Sequence, residues 1–482
     1  MHLTVSMRIL GLLLMLFSST MAVPLAIALI DNDATVRSFS SALGLTFLVG
    51  LALWLPVRNV RHELRIRDGF LVTSLFWTVL GIFGSLPLLL TTSLALSPMD
   101  AIFESISALT TTGATVMTGL DGLPGSILMY RQLLQWLGGI GIIVIALAIL
   151  PMLGIGGMQL YRAEIPGPSK DRKLTPRIAE TAKALFAVYL ALTVVCAAAF
   201  YAAGMSGFDA VAHAFSTVAI GGFSTHDASM GYFDSDAILL ICTLFMVISA
   251  MNFGLHFLSW RRRSLAAYGR DSESRFFLGV LLLGIAITCS FLIISETLTL
   301  EEGLVHGLFQ TVSIATTTGF TTQDFAVWPT FLPIMLIMFS FMGGCVGSTA
   351  GGIKAVRLML IGKQGLREMK QLVHPKAVIP LKVGKHRVEA TVVSAVWSFF
   401  AVYMFVFVTI MLLLLATGLD FITAFSAVAA SLNNLGPGLG AVAANYAGIS
   451  DFAKGLLCLA MLLGRLEIFT LLVLFTPMFW RL

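Results

Sequence analysis

The residues Ser313-Ile314-Ala315-Thr316-Thr317-Thr318-Gly319-Phe320 decide how the rest of the chain is read. Their core occurs earlier as Thr110-Thr111-Thr112-Gly113. Related stretches are Thr-Val-Ala-Ile-Gly-Gly-Phe at residues 217–223 and Ser-Leu-Asn-Asn-Leu-Gly-Pro-Gly at residues 431–438. Each lies between two long apolar segments and follows a short amphipathic one, too brief to cross a bilayer. A short helix, a glycine turn and no further polar side chains is how backbone carbonyls are presented to a dehydrated cation. The key glycines, Gly113, Gly222, Gly319 and Gly436, are 109, 97 and 117 residues apart by their numbers. Four copies of one unit therefore follow one another in the chain.

Composition gives the class. Apolar residues make up 57% of the 482 and charged residues 11%, against roughly 25% charged in a soluble domain. Many segments exceed the 18 or so apolar residues that cross hydrocarbon, so the chain is a polytopic membrane protein, all-α in fold. Cys196, Cys242, Cys289, Cys345 and Cys458 all lie in apolar spans without paired spacing and read as small core residues. Arg8 ahead of an apolar run resembles the start of a signal peptide, but the run continues to Ile30, which predicts a retained spanning helix.

Two helices come first, over residues 7–30 and 37–57. Each unit then comprises a spanning helix, a half-helix, a glycine turn and a second spanning helix. The first unit reads as 70–90, 98–111, Gly113 and 126–153, and the second as 178–203, 208–219, Gly222 and 237–260. The third reads as 276–297, 301–317, Gly319 and 331–361, and the fourth as 388–416, 420–431, Gly436 and 452–479. These make ten spans and four half-helices, with boundaries at 1–67 for the N-terminal pair and 68–160, 161–265, 266–375 and 376–482 for the units.

Charge supplies the orientation. Residues 58–67, 162–177, 261–275 and 354–387 hold 23 of the 30 Lys and Arg, and all four stretches fall between units. They share one side, which the positive-inside rule makes cytoplasmic, and both termini fall there too. Opposite loops carry acids such as Asp100, Asp209, Asp227 and Asp324. Such an acidic vestibule concentrates cations, although outer acids also serve simply to keep a face soluble.

Non-helical backbone at membrane depth survives only where it lines a water-filled cavity or is buried in protein. Four interruptions at matching positions thus point to a shared polar axis. Glycine permits the positive φ that turns successive carbonyls inward, and the half-helices aim their partially negative ends at the cavity below. Small residues that merely allow close helix packing would explain one such stretch, but not four at near-constant period. The candidate filter is Thr110, Thr111, Thr112 and Gly113; Ala219, Ile220, Gly221 and Gly222; Thr316, Thr317, Thr318 and Gly319; and Asn433, Asn434, Leu435 and Gly436. K+ is expected at Thr111, Thr112, Ile220, Gly221, Thr317, Thr318, Asn434 and Leu435.

On these turns, on Gly-Gly-Phe at residues 221–223 and on Asn-Asn-Leu-Gly-Pro-Gly at 433–438, the whole chain resembles the Trk/Ktr/HKT superfamily of potassium transporters, within it the bacterial TrkH branch. The two extra N-terminal helices also resemble that branch. The resemblance implies a pseudo-fourfold pore within one subunit, in the bacterial inner membrane. Each turn has one dominant glycine, unlike the Thr-Val-Gly-Tyr-Gly of K+ channels, which predicts fewer ion sites and looser K+/Na+ discrimination.

The second span of the third unit is interrupted by Gly343, Gly344, Gly347, Gly351 and Gly352. Each glycine costs a helix about 1 kcal/mol relative to alanine, so the stretch reads as an intramembrane loop just below the turns. It lacks the Gly-Lys-Ser/Thr ending of a phosphate-binding loop. The resemblance implies that it obstructs the pore and moves on opening, whereas a kinked helix without that role is the plain alternative. Arg465 lies well inside the last span, with Glu467 two residues on. It is either a structural partner of Glu467 or of carbonyls, or a cation barrier in the pore; two residues apart do not share a helix face, and the resemblance favours the barrier. His213 and His306 read as packed or hydrogen-bonded residues of half-helices.

The function expected is uptake of K+, and of Rb+, down its electrochemical gradient. A Na+- or H+-coupled K+ symporter is the alternative, although the repeats run in one orientation and nearly all acids lie at helix ends. Nothing in the chain suits an enzyme: there is no Ser/His/Asp set, no HExxH and no paired intramembrane aspartates. No cofactor, nucleotide site or nucleic-acid partner is expected. The basic inner loops suit anionic lipid. The resemblance adds a homodimer and a cytosolic TrkA-type ring of nucleotide-binding domains.

Overall fold

The computed structural model describes residues 3–60, 66–144, 174–329, 331–384 and 386–480. Its architecture is helical, with one two-residue antiparallel pairing of Lys382–Val383 and His386–Arg387 among the described residues. Helices α1 (Leu3–Thr20), α2 (Ala22–Asp31) and α3 (Val36–Trp54) form the N-terminal pair of spans. Gly11 and Gly50 let α1 and α3 touch backbone to backbone: a Cβ on Gly11 would lie 2.7 Å from the Gly50 carbonyl oxygen, and one on Gly50 2.9 Å from that of Gly11.

The four units follow. The first has α4 (Ile66–Gly84), half-helix α5 (Pro98–Leu109) and α6 (Gly125–Val144). The second has α7 (Leu174–Ala202), half-helix α8 (Gly207–Ala219), and α9 (Asp236–Ala250) turning 97° into α10 (Phe253–Arg262). In the third, α11 (Ser272–Ile294) and half-helix α12 (Leu300–Ala315) precede α13 (Phe331–Ser340), an irregular stretch over residues 341–354, and α14 (Ala355–Val373). The fourth has α15 (Ala390–Ala416), half-helix α16 (Phe421–Leu432) and α17 (Asp451–Arg465), which bends by 110° into the segment Phe469–Phe475.

All four half-helices start on a capped turn. Ser97, Ser206, Thr299 and Asp420 accept from the amides of Asp100, Asp209, Glu302 and Thr423 at 3.1, 3.0, 3.3 and 3.1 Å, filling one of the amides a helix start leaves open. Each cap precedes its key glycine by 16 residues in units one, two and four and by 20 in unit three, about one extra helical turn.

Two second helices depart from the straight spans expected over 237–260 and 452–479. In unit two the chain breaks at Asn252, whose side chain accepts from the Gly254 amide at 2.7 Å and starts a new helix. In unit four, Glu467 and Ile468 both take positive φ, 53° and 57°, which ends the helix. Unit three has the expected glycine loop. By length and composition six described helices could cross a membrane, or eight if each bent pair is one span; the two other expected spans begin with α6 and α13. The C-terminal end of the 126–153 span and most of the basic stretch 162–177 lie outside the described residues.

The packing closes on itself. The first helix of every unit packs on its own half-helix, and the second helix packs on the half-helix of the next unit: α6 on α8, α9 on α12, α13 on α16, and α17 back on α5. Among the described residues two large apolar cores fill the spaces between, one running from the N-terminal helices through units one and four into three, the other from unit two into three, and a smaller third packs α14 against the start of α15.

Candidate functional site

Every half-helix ends in the same way at the centre of this ring. The residue two before each key glycine has positive φ: Thr111 52°, Ile220 55°, Thr317 64° and Asn434 55°. The next amide turns back to the carbonyl five positions earlier, Thr112 to Ser107, Gly221 to Ser216 and Thr318 to Ser313 at 2.8 Å, Leu435 to Ala430 at 2.7 Å. These bonds make a Schellman end, built here on non-glycine residues at a cost of about 1–2 kcal/mol each. Such strain persists only where the surroundings over-determine the conformation, and it clusters at functional sites.

The key glycines themselves have φ of 81°, 75°, 85° and 99°. A Cβ on Gly113 would lie 2.1 Å from the Gly221 oxygen, on Gly222 2.0 Å from that of Thr318, on Gly319 2.1 Å from that of Leu435, and on Gly436 2.6 Å from that of Thr112. The order runs from unit one through two, three and four and returns to one. Four carbonyls, each one residue before a key glycine, therefore abut the key glycine of the preceding unit in a closed cycle.

All sixteen candidate filter residues come together here. In both Thr-Thr-Thr-Gly copies the first and third hydroxyls pair at 2.8 Å while the first also donates to the helix carbonyl four back at 2.7 Å. Those hydroxyls are thus engaged by each other and, for the first of each copy, by the helix backbone. Asn433 accepts from Tyr403 at 2.6 Å and donates to Ser340 at 2.9 Å, and Asn434 donates to Thr112 Oγ1 and to the Met461 carbonyl at 3.0 Å.

The glycine loop lies against the ends of three half-helices. Thr349 Oγ1 donates to the Val218 carbonyl at 3.0 Å, the Gly351 amide to Thr317 Oγ1 at 2.8 Å, and the Gly352 amide to the Asn433 carbonyl at 3.0 Å. Gly351 allows the last approach, since a Cβ there would sit 1.9 Å from the Asn433 oxygen. Gly343 meets Gly351 and Gly352 where the loop crosses itself, Gly344 meets the Ala250 oxygen, and Gly347 meets Asn252. Glu273, at the start of α11, accepts from the amides of Val346 and Val356, at 2.8 and 3.2 Å.

Arg465 reaches this loop from the last turn of α17. Its Nη1 donates to the Thr349 carbonyl at 3.2 Å, and Nε and Nη2 have no protein acceptor. Glu467 does not pair with it: the carboxylate lies 2.5 Å from Arg357 Nη2, because the reversal at residues 467–468 turns it toward α14. Lys354, also buried, donates to the Ala350 carbonyl.

Sequence reasoning overlooked a second buried set, behind units one and two. Arg131 Nε lies 2.7 Å from Glu104 Oε1, with both side chains essentially inaccessible. Gln135, one turn along α6, donates to the Gly221 carbonyl at 2.6 Å and accepts from the Phe223 amide at 3.1 Å. His213 bonds the Asp209 carbonyl and Ser224 Oγ at 2.9 Å, and His306 bonds Thr322 at 2.9 Å, so each histidine has a local partner. At the rim, His226 lies 2.5 Å from Asp121 and holds that carboxyl below its usual range.

A family model described as a cation transport protein, TrkH, matches residues 37–482. The chain is 57% identical over 481 residues to the Trk system potassium uptake protein TrkH of Halomonas elongata, covering 100% of both. It is 53% identical over 487 residues to the protein of that name from Escherichia coli K12, again over 100% of both. The crystal structure of the potassium transporter TrkH from Vibrio parahaemolyticus superposes with a TM-score of 0.94 at 53% identity over 100% of each chain.

Proposed function

The chain belongs to the TrkH family of cation transport proteins, and from that premise we propose that it takes up K+, and Rb+, across a bacterial inner membrane. It is a transporter of the membrane, not an enzyme. The cyclic set of carbonyls at Thr112, Gly221, Thr318 and Leu435 carries the reading. Four neutral oxygens arranged in a cycle replace part of an ion's hydration shell without trapping it, and in this reading the carbonyls of Thr111, Ile220, Thr317 and Asn434 form a second layer. The names of the relatives, potassium uptake proteins, supply the ion.

In this reading the loop at residues 343–352 is the gate. Support comes from its bonds to the ends of three half-helices. Arg465 serves as both latch and barrier: it holds the loop through Thr349 and sets a fixed positive charge on the exit path. The units divide near residues 68, 161, 266 and 376, both termini are cytoplasmic, and the basic face meets anionic lipid and a cytosolic TrkA-type ring. The subunit works as a homodimer.

Purified protein in liposomes tests this. A K+ gradient alone should drive 86Rb+ entry, and an imposed pH or Na+ gradient should leave the rate unchanged. Entry that requires either gradient would instead establish a coupled symporter.

A further inference from the structure

Residues at one register behind the four turns differ in a way that the fourfold pattern conceals. Nine positions before the key glycines stand Glu104, His213, Gln310 and Ala427; two positions after them stand Thr115, Ser224, Thr321 and Gly438. In unit one, Glu104 accepts from Thr115 Oγ1 at 3.0 Å and from the Val116 amide at 2.9 Å. In unit two, His213 Nε2 bonds Ser224 Oγ at 2.9 Å. In unit three neither polar atom of the buried Gln310 side chain has a partner, and in unit four the position is an alanine. Two of the four turns are braced from their own half-helix at this register and two are not.

Arg131 joins the two braces. Beyond its 2.7 Å contact with Glu104, Nη2 donates to Thr115 Oγ1 at 3.1 Å and Nη1 to the Ser224 carbonyl at 3.3 Å. Its guanidinium carbon lies 4.1 Å from the centre of the Phe223 ring. The planar fork thus spans the outgoing strands of the first two turns. We infer that Glu104 and Arg131 are positioning residues that fix the outer ends of turns one and two relative to each other and so set the discrimination between K+ and Na+. The inference rests on the filter reading above. A buried ion pair is a weak source of net stability, because the desolvation of two charges offsets their attraction. What it supplies is geometry, through charge-assisted bonds of fixed direction. The size of a carbonyl ring and the number and direction of its dipoles both bear on which alkali ion it favours.

The test is the ratio of 86Rb+ to 22Na+ entry per folded protein in liposomes, read with the melting temperature. The Glu104→Gln/Arg131→Gln double variant removes both charges without leaving one unpaired. Arg131→Lys keeps the charge but cannot reproduce the fork, and it serves if the double variant does not assemble. Both should lower the ratio, the double variant by about tenfold, equivalent to about 1.4 kcal/mol. Gln310→Leu, at the same register in unit three, should leave it unchanged. An unaltered ratio in folded Arg131→Lys and double variants would overturn the inference, whatever the melting temperature does. So would an equal fall in Gln310→Leu. Gly222→Ser in the same assay separates the two claims: if it changes the ratio and the Arg131 variants do not, the strut falls and the filter reading stands.

Discussion

Arg465→Ala tests whether the arginine restrains flux or merely supports the fold. The substitution removes the Nη1 bond to the Thr349 carbonyl, 3.2 Å long, and a buried positive charge with two unpartnered donors. A hydrogen bond from a charged group contributes about 1.5–3 kcal/mol. If that bond is made only when the loop is seated, its loss shifts the seated-to-released equilibrium by roughly 10- to 100-fold, at about 1.4 kcal/mol per factor of ten. Removing the charge acts in the same direction, because a cation leaving the ring no longer meets a fixed like charge. Initial 86Rb+ entry per folded protein should therefore rise by about tenfold or more, levelling off once the loop is mostly released. The preference for Rb+ over Na+ should hold, since Arg465 makes no bond to the residues of the carbonyl ring. Arg465→Lys, which keeps the charge and can still reach a carbonyl, should fall between the two. Slower entry together with a lower melting temperature would instead make Arg465 a structural residue.

Gly351→Ala should also raise flux, because the added Cβ would lie 1.9 Å from the Asn433 oxygen and the loop could not seat; entry at or below the parent rate in a folded variant would show that the loop does not obstruct the path. At the rim, His226 holds the Asp121 carboxyl below its usual value. That link stabilises the loops that follow the first two turns above the ordinary carboxylate pKa and is lost as the pH falls through the depressed value. Melting temperature should therefore drop more steeply on acidification for the parent than for Asp121→Asn; parallel profiles would remove the link from the account.

Much of this arrangement was legible in the sequence because membrane insertion restricts the chain so strongly. Long apolar runs could only be spans, and a repeated Thr-Thr-Thr-Gly between them could only be buried or lumenal backbone. The stretch 343–352 announced a loop because five glycines make a poor helix. What the sequence concealed was set by tertiary packing. Nothing local marks Ile220 as a residue of positive φ, which a β-branched side chain disfavours. The sharp turns after Ala250 and Arg465 sit in segments whose apolar character alone reads as one span each. Glu104 and Arg131 did carry a signal. A charge inside an apolar segment is costly and implies a buried partner, so the two could have been matched, although not which turns they would brace.

The closed carbonyl ring is tested most directly by placing serine in turn at Gly113, Gly222, Gly319 and Gly436 and measuring K+, Rb+ and Na+ entry per folded protein. At three of these positions the nearest carbonyl oxygen is 2.0 to 2.1 Å from the new Cβ, and at Gly436 it is 2.6 Å. The oxygen must retreat by about 1 Å at the first three and about half that at the fourth to regain a tolerable contact. Each variant should lose K+ entry or admit Na+, with Gly436→Ser the mildest. Four well-folded variants with unchanged rate and ion preference would contradict the closed carbonyl ring.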